Sequence, residues 1–144
     1  MSDVEETVEI YKEDLSCSQA VFGAFCERFG MDRQQAFKIS SGFGGGMHLD
    51  QTCGAVTGAF MAIGLKFGRT RADDVDAKKK MVEMTDEFAK RFEQRCGSIR
   101  CTDLLGYNLA TDAGREEAQK LKATKAVCPK YVQAAAEILA EMLA

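Results

Sequence analysis

Apolar residues recur along this chain at helical spacing, and no stretch alternates with the period of a strand. Val4, Val8 and Tyr11 predict a short first helix. A second is expected from Cys17 to Phe29, with Phe22, Phe25, Cys26 and Phe29 on one face and Gly30 as its stop. Asp32 is suited to cap a third helix through Ile39. A fourth is expected from about Thr52 to Phe67, ending at Gly68. Met81, Met84, Phe88 and Phe92 stand at i, i+3, i+7 and i+11 of a long, otherwise charged fifth helix. After the Cys96-Gly97 break comes a short turn at Cys101 to Leu105, and Thr111 or Asp112 caps the next helix. Val132, Ala135, Leu139 and Leu143 mark the buried stripe of the last. The pattern predicts a single all-α domain over residues 1–144, a bundle of about six helices without linker or repeat.

Two segments depart from ordinary helix composition. The fourth helix contains Gly54, Gly58 and Gly64 together with Ala55, Ala59 and Ala62. Each glycine costs about 1 kcal/mol relative to alanine inside a helix. Such a helix is expected at the centre of the core, crossed closely by its neighbours, and Gly54 beside Cys53 leaves room for another sulfur or a substrate. The loop before it, Ser40-Ser41-Gly42-Phe43-Gly44-Gly45-Gly46-Met47, invites a phosphate-binding reading that its spacing rejects. A dinucleotide fingerprint from Gly42 would need glycine in place of Met47, and one from Gly44 would need it in place of Leu49. The loop is read instead as a close-packed turn lining the same site as Cys53. His48, the only histidine, lies five residues before Cys53 and is a candidate proton carrier.

Charge and composition remove several function classes. The net charge is −3 and the pI about 5.3, so nucleic acid is not an expected partner. The run Lys78-Lys79-Lys80 follows Asp73, Asp74 and Asp76 and reads as a solvated helix start. The longest apolar segment, Cys53 to Leu65, is too short for the ~18 residues of a membrane span. The acidic beginning Met1-Ser2-Asp3-Val4-Glu5-Glu6 lacks the features of a secretory signal, so a cytoplasmic location without membrane insertion is expected. Six cysteines in a reducing compartment are then expected to be reactive, metal-bound or buried.

Four of them stand where a helix is expected to begin: Cys17 after Ser16, Cys53 after Thr52, Cys101 before Thr102-Asp103, and Cys128 before Pro129. Unsatisfied N–H groups and partial positive charge at a helix start favour thiolate over thiol. Cys26 shares a face with three phenylalanines and is expected to be buried and inert, while Cys96 falls near a helix C-terminus, where thiolate is disfavoured. No Cys-x-x-Cys, ferredoxin or haem-attachment spacing is present, so folding must gather the four sulfurs if they act together.

The run Gly42-Phe43-Gly44-Gly45-Gly46-Met47 followed by Cys53-Gly54-Ala55-Val56-Thr57-Gly58-Ala59 resembles the redox-active family named for its cysteine pattern, C_GCAxxG_C_C. Cys17-Ser18-Gln19-Ala20-Val21 looks like its first cysteine segment, Gly97 to Gly106 with Cys101 its third, and Val127-Cys128-Pro129-Lys130 its fourth. Cys26 and Cys96 match no family cysteine, and no family role transfers to His48. The resemblance implies a small prokaryotic cytoplasmic protein with redox-active cysteines, often encoded near transporter genes.

Three functions follow as expectations. The first is thiol redox chemistry, with reversible disulfide formation or electron transfer among Cys17, Cys53, Cys101 and Cys128. Cys53 is the expected attacker, and the redox partner is unspecified. The second makes the same four cysteines ligands of zinc or an iron–sulfur cluster; otherwise no cofactor is implied. The third is a non-catalytic helical scaffold or redox-sensing regulator associated with transport, for which a homodimer is plausible.

Overall fold

The computed structural model describes residues 1–144 and is built almost wholly of helix. Helix α1 (Asp3–Lys12) is capped by the Ser2 side chain, and α2 (Cys17–Phe25) by a reciprocal capping box between Ser16 and Gln19. A 3₁₀ turn, Cys26–Phe29, continues α2 and stops at Gly30, where φ is +86°. Asp32 caps α3 (Arg33–Ser40) as its sequence predicts. Then follow α4 (Gly54–Phe67), α5 (Val75–Cys96), α6 (Cys101–Leu105), α7 (Asp112–Lys120), α8 (Ala123–Val127) and α9 (Pro129–Met142). The class is all-α. Nine helices replace the expected six or so, because α6 and α8 have five residues each and are too short to show a period.

Helix α4 is central, packed on α2, α5 and α9, with α1 and α9 flanking α2. Its glycines explain how it sits so deep. A Cβ on Gly58 would stand 2.7 Å from the carbonyl oxygen of Ser18, so backbone meets backbone where α2 crosses α4. Ser18 is itself fully buried and donates its hydroxyl to the Ser40 carbonyl at 2.8 Å. Phe88 and Phe92 of α5 are buried and stacked, and Val132, Ala135, Leu139 and Leu143 are all buried, as their stripes predict.

Helix α1 differs from expectation. Its buried residues are Thr7 and Ile10, while Val4, Val8 and Tyr11 are only partly covered. The Thr7 hydroxyl donates to the Asp3 carbonyl at 2.7 Å, which satisfies its polar atom and lets its methyl face the core.

A second, smaller apolar cluster stands beside this core. Cys101, Leu105, Leu109, Ala118 and Ala123 from α6 to α8 make it, with Cys128 packed against its edge. The chain enters this satellite at Cys101 and leaves it at Cys128. No helix is long and apolar enough to cross a membrane.

Candidate functional site: a thiol cavity between core and satellite

The four cysteines singled out by position all line one cavity of about 340 Å³ at the seam between core and satellite. Each stands at a helix start: Cys17 is the first residue of α2, Cys53 the N-cap of α4, Cys101 the first residue of α6 and Cys128 the N-cap of α9. The other two lie elsewhere. Cys26 is fully buried in the core and directs its thiol at the Gly23 carbonyl, 3.4 Å away, and Cys96 ends α5. All six are free thiols, and burial is the first cause of a raised pKa at both Cys26 and Cys96.

Cys53 and Cys101 are brought together by backbone pairing rather than by helix packing. Thr52 and Arg100 form an isolated antiparallel bridge. The Cys53 amide donates to Ile99 at 2.7 Å and the Cys101 amide to Gln51 at 2.9 Å. Asp50 secures the crossing by accepting from Arg100 Nε at 3.1 Å, from the second Arg100 nitrogen and from the Thr102 hydroxyl. Arg100 and Thr102 hold the Asp50 carboxyl below its ordinary carboxylate pKa.

The glycine loop completes the wall. Gly45, Gly46, Met47 and His48 have φ of +62°, +64°, +60° and +53°, a turn of left-handed backbone. Two glycines carry this conformation freely, whereas Met47 and His48 are strained there. A Cβ on Gly46 would lie 2.7 Å from Cys101 Cβ. Gly54 has the corresponding role at the other pair: an added Cβ would overlap Cys17 Sγ and sit 2.8 Å from Gly44 Cα. The expectation of a sulfur beside Gly54 therefore holds, and the sulfur is that of Cys17. His48 is exposed at the mouth.

The helix-start argument anticipates four acidic thiols, and the structure yields one. Cys17 falls to about 6 because the Cys53 thiol donates to it, assisted by backbone N–H groups of Gly45, Ser18 and Cys17 itself against the opposing cost of burial. Cys53, the donor, is raised well above its ordinary value by that same bond and by burial. Burial dominates at Cys101, pushed up to about 12, and at Cys128, pushed up to about 11. Desolvation outweighs the helix terminus at these two positions.

Tyr11 is a cavity residue that sequence reasoning used only to predict the first helix. Its hydroxyl donates to the Thr124 carbonyl at 2.9 Å, and burial keeps it protonated. The partners are separated by more than a hundred residues, so no local pattern could reveal them. Leu104, Leu109 and Tyr131 line the cavity too, and they carry no sequence signal beyond apolarity. No three His, Cys, Asp or Glu side chains converge closely enough to hold a metal ion. The four sulfurs share a cavity but do not form a single-ion cage.

The fold and site together define an all-helical domain whose helix starts deliver four free thiols to one cavity. Residues 15–142 match the family described as "Putative redox-active protein (C_GCAxxG_C_C)", and the chain belongs to that family. No curated protein and no solved structure matches the chain.

Proposed function

We propose that this protein is a two-electron thiol–disulfide redox protein whose working pair is Cys17 and Cys53. The observation that carries the reading is that both sulfurs line one cavity beside the bare Cα of Gly54, where Cys53 lowers the Cys17 thiol pKa. Cys17, not Cys53, is then the attacker. Its thiolate attacks one sulfur of a disulfide R–S–S–R, forming a Cys17–S–S–R bond and expelling RS⁻.

That step removes the negative charge from Cys17. The hydrogen bond and the repulsion that raise Cys53 both originate in Cys17, so Cys53 becomes easier to deprotonate once Cys17 is capped. Cys53 gives its proton to a thiolate leaving group and attacks the Cys17 sulfur, expelling the second RS⁻. Two protein sulfurs are oxidised and two substrate sulfurs reduced, leaving one RSH, one RS⁻ and a Cys17–Cys53 disulfide. Cys101 and Cys128, held as thiols, stand by as partners for exchange.

The test is alkylation by iodoacetamide across pH, with the modified residue identified by mass. Cys17 should react with an inflection near pH 6, and Cys17→Ser should remove that phase. Oxidation by a small disulfide should then produce a Cys17–Cys53 linkage, while Cys53→Ser should halt at a mixed disulfide on Cys17. A Cys17 inflection at the ordinary thiol value, or a disulfide that excludes Cys17, would sink the proposal.

A further inference from the structure

The walls of the thiol cavity offer almost no polar group to a visitor. Tyr11 donates its hydroxyl to Thr124, and Tyr131 donates its own to the Leu104 carbonyl at 3.0 Å. Gln19 is occupied twice, accepting from the Ser16 amide at 2.9 Å and donating to the Phe37 carbonyl at 3.0 Å. The Ser41 hydroxyl donates to Lys38 at 2.8 Å. At the mouth, Lys125 and Asp14 pair with each other at 3.1 Å, so their charges offset. No buried side-chain nitrogen or oxygen in the chain lacks a partner.

What remains to touch a ligand inside the cavity is chiefly apolar: Leu15, Leu104, Leu105, Leu109 and Val132, with two tyrosine rings and the thiols, while the exposed His48 and Thr124 side chains stand at the mouth. Cys53 and Cys101 are each only 7% exposed, so their sulfurs meet a reactant inside the cavity rather than at a surface. The volume, about 340 Å³, lies near the lower end of the small-molecule range. A charged reactant would lose its water inside the cavity, where no ionic side chain stands to replace it, His48 and the Lys125–Asp14 pair being at the exposed mouth. The Cys17 sulfur is no substitute, since the Cys53 thiol and backbone N–H groups already surround it.

We infer that the substrate is a small, uncharged disulfide with an apolar body that enters this cavity, rather than a protein disulfide or a charged peptide disulfide. The inference rests on the redox pair proposed above and names its reactant. The reaction balances as already written, with R an uncharged apolar group.

Three disulfide probes test it on the fully reduced protein: 2,2′-dithiodipyridine, uncharged; 5,5′-dithiobis(2-nitrobenzoate), a dianion; and cystamine, a dication. Each second-order rate constant is divided by that of free cysteine with the same probe, which removes intrinsic reactivity. The uncharged probe should lead both charged ones by about tenfold or more, the scale set by unpaired polar burial of ~1–3 kcal/mol. The dication separates exclusion by the cavity from repulsion by the net negative chain. A lead smaller than about fivefold over either charged probe overturns the assignment. If all three probes produce a Cys17–Cys53 disulfide at equal normalised rates, the redox pair stands and the substrate class alone falls. If none produces it, the redox pair itself is wrong.

Discussion

Replacing Gly54 by alanine should disable the acidic thiol while leaving every cysteine in place. The new methyl would overlap Cys17 Sγ, and it would lie 2.8 Å from Gly44 Cα and 3.1 Å from the Ser18 amide nitrogen. Two of these three neighbours are backbone, so the strain cannot be relieved by turning a side chain. Overpacking of this kind costs about 1–3 kcal/mol, offset by the ~1 kcal/mol that alanine gains over glycine in a helix. A net loss of about 0–2 kcal/mol is expected in denaturant melts.

The larger effect is electrostatic. Cys17 must swing away from Cys53 and lose its leading source of acidity. A hydrogen bond to a charged group contributes ~1.5–3 kcal/mol, which corresponds to about one to two pKa units. The sign follows from the depressed thiol: the wild-type thiolate forms as pH rises through about 6, so the variant's thiolate appears only at higher pH. At pH 5.5 the thiolate fraction would drop roughly eight- to eightyfold, and the greater nucleophilicity of a more basic sulfur would recover roughly three- to eightfold. Alkylation of Cys17 should therefore slow by about three- to tenfold at that pH, with its inflection displaced upward. A G54A protein that keeps the wild-type inflection and stability would refute the close approach as the origin of the acidic thiol.

Two further outcomes follow from the same geometry. Gly46→Ala places a methyl 2.7 Å from Cys101 Cβ at a φ of +64°. It should destabilise the chain by about 2–4 kcal/mol, visible as a lowered thermal midpoint; an unchanged midpoint would contradict the wall described here. Protein purified without oxygen or chelator should carry zinc and iron only well below one equivalent per chain, by elemental analysis, because no three donors converge. About one zinc, or several irons with matching visible absorption, would instead favour the ligand reading of the four cysteines.

The sequence made the helix starts legible because capping is local. Ser16, Asp32 and Pro129 each mark a start that the structure contains. The deep placement of α4 was also readable, since three glycines in one helix need close neighbours to compensate them. The order of thiol acidity was not. A helix terminus acts within one turn, whereas the influence of Cys53 on Cys17 depends on α2 crossing α4 beside a bare Cα. The Asp50–Arg100 crossing was hidden for a related reason, because it joins segments fifty residues apart that have no common periodicity.

The satellite is an excursion whose departure and return are both marked by sulfur, at Cys101 and Cys128. Leu105 and Leu109 line the cavity from within this excursion, while Cys17 and Cys53, like Leu104, pack with the main body. One side of the wall and the reacting pair are thus built by different stretches of polypeptide. The space around the sulfurs can be reshaped from that side, at Leu105 and Leu109, by changes that do not touch the α2–α4 crossing. On that side, the shape of the cavity and the setting of the Cys17–Cys53 pair rest on separate parts of the chain.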